Sequence, residues 1–413
     1  MEPTRSMRPV SRDASWPSIW RCGAPGPGQT EALCSRWITS GSSRICWKCW
    51  PLPARMRILL VGSTSHVASF FVEEGGRRGW ELFGLSRDRV RQEVLYGRAS
   101  IAPMAVDIGE AMALEAVDAI VNFAYPRNLS TFKIHAATRR LLGDIAALAR
   151  RLSPKVVVQV STKTVFGYSF SRNPRPVPVW WAAGDRYVET KALAEWLFLL
   201  ASRRARYVPV ILRLGNVIGP GAYWVSEIAR RILFEEPVGR GQSNATYVRN
   251  VADYLATLVT TDEHALRRFG VFHHLAEFSS VSWARFVEAI AAVTGRLPVY
   301  QETPARSQGL TVRKLATTMA AYLSAILPTS WQDRAEELRG GRHRYFTARG
   351  RFESSGWASP PGLHEALEFR SHTLPGWSTR FDLAAALDET VAWVRHAGYA
   401  ASSDLAEVSG APR

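Results

Sequence analysis

Cysteine is missing from most of this sequence: no residue between Cys49 and the last position, 413, is a cysteine. The core of that long stretch therefore needs no disulfide. Cys46 and Cys49 form a C-x-x-C pair, and Cys22 and Cys34 would have to complete a zinc site. Because the spacing is irregular and a second such pair is lacking, we expect no metal.

An apolar repeat is also missing from residues 1–55, which are rich in Arg, Pro, Gly, Ser and Trp. Three interpretations remain for this segment: a zinc site, a targeting peptide, or translated sequence upstream of a true start at Met56. A targeting peptide would need an unbroken apolar stretch, and the fold signal begins at Met56. We therefore favour a non-native or disordered extension, and we also expect a disordered tail at 400–413.

Long apolar runs are missing as well. The longest, Leu315 to Pro328, spans about 14 residues and includes Thr and Ser, whereas a membrane-spanning helix needs about 20 apolar residues. We therefore expect a cytoplasmic protein without a membrane span.

A concentrated basic patch is the last absence, although the formal net charge is +16. The arginines are scattered through helical stretches rather than massed with aromatic residues, so we expect no nucleic-acid partner. The positive net charge is as consistent with attraction to small anionic molecules, such as phosphates, as it is with nucleic-acid binding.

From Met56 onward, short apolar runs alternate with longer helical stretches. Runs rich in Val, Ile and Leu suit strands that are covered on both faces of a parallel sheet. The predicted strands are 57–61, 81–86, 118–124, 155–161 and 207–214, and helices are predicted at 185–204 and 381–396. The pattern predicts an α/β protein with a doubly wound parallel sheet.

The stretch "VGSTSHVAS" after the first strand is similar to a dinucleotide-binding turn. Gly62 holds the first glycine position, whereas Ser65 and Ala68 stand at the second and third. Ala68 is small enough for helix packing, but the Cβ of Ser65 could crowd a pyrophosphate unless its hydroxyl binds it. Alone, this turn is a weak signal.

Three further stretches carry chemistry-bearing side chains. Tyr187 and Lys191 lie four residues apart on one predicted helix, hence on one face. A nearby ammonium lowers the pKa of a phenol from about 10 and makes its proton useful near neutrality. Thr162 lies in "VSTKTVFG" and Asn216 in "RLGNVIGPG", each at the carboxyl end of a predicted strand, where open α/β sheets bind ligands.

Together these stretches resemble the extended short-chain dehydrogenase/reductases, the family of NAD-dependent epimerases and dehydratases. The resemblance runs from Met56 to about Tyr399. It implies a Rossmann-like dinucleotide-binding domain at 56–221, which also receives parts of 245–275, and a smaller C-terminal substrate-binding domain formed mainly by 222–399. It also admits a homodimer.

The resemblance also implies residue roles. Thr162, Tyr187 and Lys191 would be catalytic, with Lys191 also holding the nicotinamide ribose and with Thr162 and Asn216 binding substrate. The expected cofactor-binding residues besides Lys191 are Gly62, Thr64, Ser65, His66, Val67, Ser86, Arg87, Asp107, Ile108, Phe123, Ala124 and Tyr125. Asp107 would lie near the adenine, and Phe123 to Tyr125 would run beside the cofactor.

Two departures from the family pattern refine these expectations. The cofactor is NADP or NAD, and we favour NADP because Ser86 and Arg87 stand where NAD-preferring turns carry an acid. Lys163 and Thr164 replace the acidic pair of the dehydratases, which disfavours sugar 4,6-dehydration.

We therefore expect an NAD(P)-dependent oxidoreductase or epimerase that acts on a hydroxyl or keto carbon. The substrate that we favour is a nucleotide sugar. Two alternatives stay open. "VRNVAD" and the apolar 315–327 segment favour an NADP-dependent reductase or dehydrogenase of a hydrophobic alcohol or ketone, as in steroid or flavonol relatives. The missing turn glycines favour a weakly catalytic dinucleotide-binding sensor.

Overall fold

The computed structural model describes residues 55–87, 89–96, 103–126, 131–166, 186–300 and 370–399. The chain divides into two units, 1–54 and 55–413, and the first lies outside the described residues. The predictions for the N-terminal extension, for the apolar 315–327 segment and for the 400–413 tail also lie outside them.

Strands and helices alternate along most of the described chain. The strands are β1 (Arg57–Val61), β2 (Glu81–Leu85), β3 (Met104–Val106), β4 (Ala119–Asn122), β5 (Val156–Thr162), β6 (Val208–Leu214), β7 (Asn216–Ile218), β8 (Ala245–Tyr247) and β9 (Phe272–Leu275). The helices are α1 (His66–Arg77), α2 (Arg89–Tyr96), α3 (Ile108–Ala113), α4 (Thr131–Leu152), α5 (Arg186–Ser202), α6 (Tyr223–Leu233), α7 (Val248–Thr260), α8 (Glu263–Phe269), α9 (Trp283–Thr294) and α10 (Leu383–Val394). A 3₁₀ turn follows β5 at Lys163–Phe166, and a π-helical turn follows α10 at Arg395–Tyr399.

The main sheet has the strand order β3-β2-β1-β4-β5-β6-β9, and every neighbouring pair in it is parallel. Helices cover both faces, so the predicted doubly wound, Rossmann-like architecture is confirmed. The chain moves outward from β1 to β3 and then returns to place β4 on the other side of β1. The carboxyl ends of β1 and β4 therefore form the topological switch point, where sheets of this kind bind ligands.

The first strand shows why an unbroken apolar run forms the centre of this sheet. Successive side chains of a strand point to opposite faces. Ile58 and Leu60 belong to one hydrophobic core, whereas Leu59 and Val61 belong to the other, and all four are buried. Because each face is covered, no polar residue is needed at alternate positions.

A small two-stranded parallel sheet, β7 with β8, continues the fold beyond the end of β6. It begins directly after Gly215, where an added Cβ would lie 2.2 Å from the carbonyl oxygen of Asn244. Glycine therefore permits the close approach of the two backbones. This approach places Asn216 next to the carboxyl end of β6.

Within the described ranges, no helix combines the length and the apolar character needed to cross a membrane.

Candidate active site

The turn after β1 is built around Gly62. Its φ of +78° lies in the left-handed region, and an added Cβ would lie 2.7 Å from the backbone nitrogen of Ala124, which follows β4. A glycine is therefore required here by conformation and by space. This close approach joins the two strands that flank the switch point.

Ser65 replaces a family glycine without backbone strain. It is the N-cap of α1, with φ −76° and ψ 153°, and its Oγ accepts a hydrogen bond from the amide of Ala68 at 3.2 Å. These dihedral angles suit any residue, so glycine is not needed for conformation. The amino end of α1 thus opens at the switch point, and its partial positive charge favours a phosphate group.

Contacts from distant segments support this turn. Ser63 donates its hydroxyl to Gln92 at 2.9 Å, and its carbonyl accepts the hydroxyl of Tyr96 at 2.8 Å. His66 contacts the carbonyl oxygen of Pro220 through Nε2 at 2.8 Å. Burial lowers the pKa of His66 below its ordinary value. Sequence reasoning missed these partners because nothing local marks them.

The turn after β2 is the expected adenosine end of a dinucleotide site. The hydroxyl of Ser86 lies 3.5 Å from that of Thr64, and the side chain of Arg87 is exposed. Neither position carries an acid. The structure thus leaves a guanidinium at the surface beyond the end of β2, where the sequence analysis expected it.

Asp107 acts locally as a helix cap. Its carboxylate accepts the amide of Glu110 at 2.8 Å, and the Glu110 carboxylate accepts the amide of Asp107 at 2.6 Å, which is a capping box. Arg89 binds Glu110 at 2.6 Å. The expected position of Asp107 beside an adenine stays a prediction. Ile108, the first residue of α3, is half-exposed beside it.

Asn122 shapes the backbone that follows β4. Its side chain is buried, its Oδ1 accepts the amide of Ala124 at 2.9 Å, and its Nδ2 donates to Gln159 at 2.7 Å. These bonds fix the path of Phe123 to Tyr125 past Gly62. From the sequence, Asn122 is predicted only as part of the strand 118–124.

Tyr125, Tyr187 and Lys191 come together at the carboxyl edge of the sheet. The rings of Tyr125 and Tyr187 meet edge to face with centroids 5.2 Å apart, and the Lys191 ammonium lies 5.4 Å from the centre of the Tyr125 ring. Lys191 is buried, and its Nζ donates to the carbonyl oxygen of Val160 at 3.2 Å. This last bond joins α5 to β5 two residues before Thr162.

Thr162 ends β5 and is buried. Its Oγ1 accepts the amide of Thr164 at 3.3 Å and lies 3.2 Å from the hydroxyl of Thr164. The hydroxyl of Thr162 is therefore held at the strand end by the first residues of the 3₁₀ turn.

A buried ion pair holds α5 against β5 and β6. Arg213 has no exposed surface and binds Glu195 through three contacts, Nη2 to Oε2 at 2.6 Å and Nε to Oε1 and Oε2 at 3.0 and 3.2 Å. Glu195 also accepts the hydroxyl of Ser161 at 2.5 Å. Because Glu195 lies one helical turn after Lys191 and Ser161 directly precedes Thr162, this pair sets the register of both catalytic candidates.

Asn216 and Lys163 meet at one carbonyl group. Asn216 donates its Nδ2 to the carbonyl oxygen of Ser243 at 2.6 Å, and Lys163 donates its Nζ to the same oxygen at 3.4 Å. Burial lowers the pKa of Lys163 to about 7. From the sequence, Lys163 stands out only because it replaces an acid of the dehydratases.

The described part of the chain contains no group of three or more side chains that could hold a metal ion. A dinucleotide fits the geometry better, since the turn at Gly62 brings the amino end of α1 to the switch point, where its partial positive charge favours a phosphate.

Comparison with known proteins agrees with this geometry. The sequence model of the NAD-dependent epimerase/dehydratase family matches residues 58–267, about half of the chain, so the protein belongs to this family of NAD-dependent enzymes. No curated protein matches the sequence.

Solved structures show a similar fold at low identity. The enzyme WbmG of Bordetella bronchiseptica in complex with NAD is 16% identical, with a TM-score of 0.54 over 85% of this chain and 97% of that one. UDP-glucose 4-epimerase of Thermotoga maritima with UDP-glucose is 14% identical, with a TM-score of 0.52 over 83% of this chain and 99% of that one. MoeE5 in complex with UDP-glucose and NAD is 17% identical, with a TM-score of 0.51 over 83% and 99%.

Proposed function

We propose that this protein oxidises or reduces a hydroxyl or keto carbon of a nucleotide sugar, with epimerisation or keto reduction as the net reaction. The observation that carries the proposal is the meeting of Tyr187, Lys191 and Tyr125 at the carboxyl edge of the sheet, next to the switch point at Gly62. Family membership supplies the cofactor class.

Tyr187 is the proton-transfer group in this proposal. An ammonium close to a phenol stabilises the phenolate. Lys191 lies four residues after Tyr187 and hence on the same helix face, and the carbonyl of Val160 holds its ammonium near the end of β5. The hydroxyl of Thr162 donates a hydrogen bond to the oxygen of the reacting carbon. Tyr187 then takes the proton of that oxygen during oxidation and returns it during reduction.

The cofactor residues divide along the sheet edge. The turn residues Gly62, Thr64, Ser65, His66 and Val67 would hold the pyrophosphate, and Ser86, Arg87, Asp107 and Ile108 the adenosine. Phe123, Ala124, Tyr125 and Lys191 would lie along the nicotinamide half. Bound there, NAD supplies the hydride acceptor and donor.

Two kinds of support favour a nucleotide sugar. Asn216 lies just beyond the carboxyl end of β6, three strands along the sheet from β1, which suits a substrate contact. Similar folds have been solved with UDP-glucose, and WbmG with NAD and UDP.

The motif that had favoured a hydrophobic alcohol has a structural explanation. Arg249 of "VRNVAD" binds Glu389 at 2.7 Å and Glu73 at 3.0 Å, which ties α7 to α10 and α1. Asn250 accepts the amide of Phe381 at 3.0 Å. These residues are engaged in packing, so the motif no longer favours that alternative.

The test is turnover with a small substrate panel. The full-length protein is incubated with NAD+, NADH, NADP+ or NADPH and with UDP-glucose, UDP-galactose, a steroid ketone or a flavonol precursor, and the products are followed by NMR. We expect conversion of a nucleotide sugar, lost in Tyr187→Phe and retained in the control Tyr399→Phe. Turnover confined to the hydrophobic substrates would overturn the proposal. Binding of dinucleotide without any turnover would point to the sensor alternative instead.

A further inference from the structure

Lys163 is a buried amine beside the proposed site for which the mechanism above has no use. It directly follows Thr162 and opens the 3₁₀ turn at the end of β5, with only 7% of its surface exposed. Its Nζ points towards the carbonyl of Ser243, the same oxygen that accepts the amide of Asn216. Lys163 is thus linked to both proposed substrate residues, to Thr162 along the chain and to Asn216 through the shared carbonyl.

The contact with Ser243 does not compensate for the burial of a charge. At 3.4 Å it is a long hydrogen bond, and that oxygen already accepts Asn216 at 2.6 Å. An ammonium has three N–H donors, and within the described segments no carboxylate forms an ion pair with Lys163. Burial accordingly lowers its pKa to about 7.

Another buried cation near the site, Arg213, has a carboxylate partner. It forms an ion pair with Glu195, with contacts of 2.6 and 3.0 Å. A buried cation without such a partner is costly, unless an anion arrives from outside. We therefore expect an anionic ligand to supply the missing partner of Lys163.

We propose that Lys163, supported by Asn216, binds a carboxylate on the sugar ring of the substrate, so that the preferred nucleotide sugar is a hexuronate. This inference rests on the proposed function. The ring is favoured over the diphosphate because Lys163 directly follows Thr162, the residue placed at the reacting carbon, and its Nζ shares the carbonyl of Ser243 with Asn216, the other residue placed at the substrate. The ammonium and the carboxylate then form a charge-assisted hydrogen bond, which is stronger than one between neutral groups.

The test compares two probes that differ only at the sixth sugar carbon, UDP-glucose and UDP-glucuronate. Their dissociation constants are measured by calorimetry on the full-length, NAD-loaded protein. We expect UDP-glucuronate to bind about tenfold tighter or more, in line with a hydrogen bond to a charged group. Equal affinities in the unaltered protein would overturn the inference while leaving the proposed function intact. If neither probe bound but the dinucleotide did, both would fail.

Variants separate binding from a structural role. Lys163→Met keeps the length and removes the charge, so the preference for UDP-glucuronate should vanish while the affinity for UDP-glucose changes little. Lys163→Arg should retain the preference. The control is Lys155→Met, at the opposite end of the same strand, where the ammonium is 68% exposed.

Two results with Lys163→Met would contradict the proposal. An equal loss of affinity for both probes would mean that the ammonium binds the diphosphate, and an unchanged ratio would mean that Lys163 only supports the fold. Thermal unfolding is recorded for each variant. If Lys163→Met does not fold, the ratio of the two dissociation constants in the unaltered protein and in Lys163→Arg still tests the proposal.

Discussion

His66 and Pro220 lie 154 positions apart, yet Nε2 of His66 is 2.8 Å from the carbonyl oxygen of Pro220. A carbonyl oxygen only accepts hydrogen bonds, so this nitrogen must carry the proton. The bond connects the first residue of α1 with the segment after β7. It therefore couples the proposed cofactor turn to the proposed substrate region through a single hydrogen bond.

His66→Phe tests this connection. The ring contact with Phe70, at 5.3 Å, can persist, but the carbonyl of Pro220 loses its donor. We expect a loss of about 1–3 kcal/mol in the free energy of unfolding and weaker NAD+ binding, measured by chemical denaturation and calorimetry. His264→Phe, an exposed position on α8, is the control. Unchanged NAD+ affinity would show that the turn does not depend on Pro220.

Gly62→Ala tests the close approach at the switch point, and Gly79→Ala is its matched control. Both glycines have positive φ, +78° and +71°, but an added Cβ at Gly79 meets nothing within 4 Å. The left-handed conformation costs about 1–2 kcal/mol for alanine at either site. Gly62→Ala should cost more in thermal unfolding, because its Cβ contacts Ala124 at 2.7 Å, and it alone should weaken NAD+ binding. Equal effects of the two changes would contradict this account.

Tyr187→Phe tests the proton-transfer role. The ring and its contact with Tyr125 remain, so folding and dinucleotide binding should survive, whereas turnover should fall by about 10²–10⁴-fold. Lys191→Met should lower turnover and also weaken cofactor binding. Thr162→Val removes the hydrogen bond to the substrate oxygen, typically worth about 0.5–1.5 kcal/mol, and should lower turnover less than Tyr187→Phe. Near-normal turnover of Tyr187→Phe would refute the mechanism.

Arg87 tests the preference between the two dinucleotides. An exposed guanidinium after β2 can bind the 2′-phosphate of NADP, so Arg87→Ala should weaken NADP+ binding while leaving NAD+ binding unchanged. Calorimetry with both dinucleotides measures this, with the exposed Arg268→Ala on α8 as control. Tighter binding of NAD+ than of NADP+, unaffected by the change, would show that Arg87 has no such role.

Acid sensitivity should depend on His274. Burial, with Arg213 nearby, lowers its pKa from 6.5 to about 3. Above pH 6.5 both folded and unfolded states hold it neutral, and its stabilising effect is fully present. As the pH falls from 6.5 towards 3, only the unfolded chain takes up the proton, so the free energy of unfolding decreases.

His274→Asn should remove about 1.4 kcal/mol per pH unit of that decrease between pH 6 and 4, measured by denaturant unfolding. The comparison with the unaltered protein matters, because burial raises the pKa of Glu277 and Glu389 to about 7. Burying these two carboxylates in their charged form lowers the free energy of unfolding at neutral pH, and protonation in acid restores it. Their effect on the pH dependence of stability is therefore opposite in sign to that of His274. Identical slopes for the two proteins would contradict the prediction.

Much of the sheet could be predicted from local patterns. The predicted strand 57–61 coincides with β1, because a short unbroken apolar run is typical of a strand that is covered on both faces of a parallel sheet. The helix predicted at 185–204 is observed as α5, Arg186–Ser202. β4 is shorter than predicted, since Asn122 binds the amide of Ala124 and turns the backbone out of the ladder.

The sequence by itself determined the family, the parallel sheet and the spacing of Tyr187 and Lys191, since periodicity and short motifs are local properties. The tertiary structure alone decided which distant groups meet. No local pattern marks the bond from His66 to Pro220 or the carbonyl of Ser243 shared by Lys163 and Asn216. Such contacts arise only after the strands have paired, because their energy depends on distances between segments far apart in the chain.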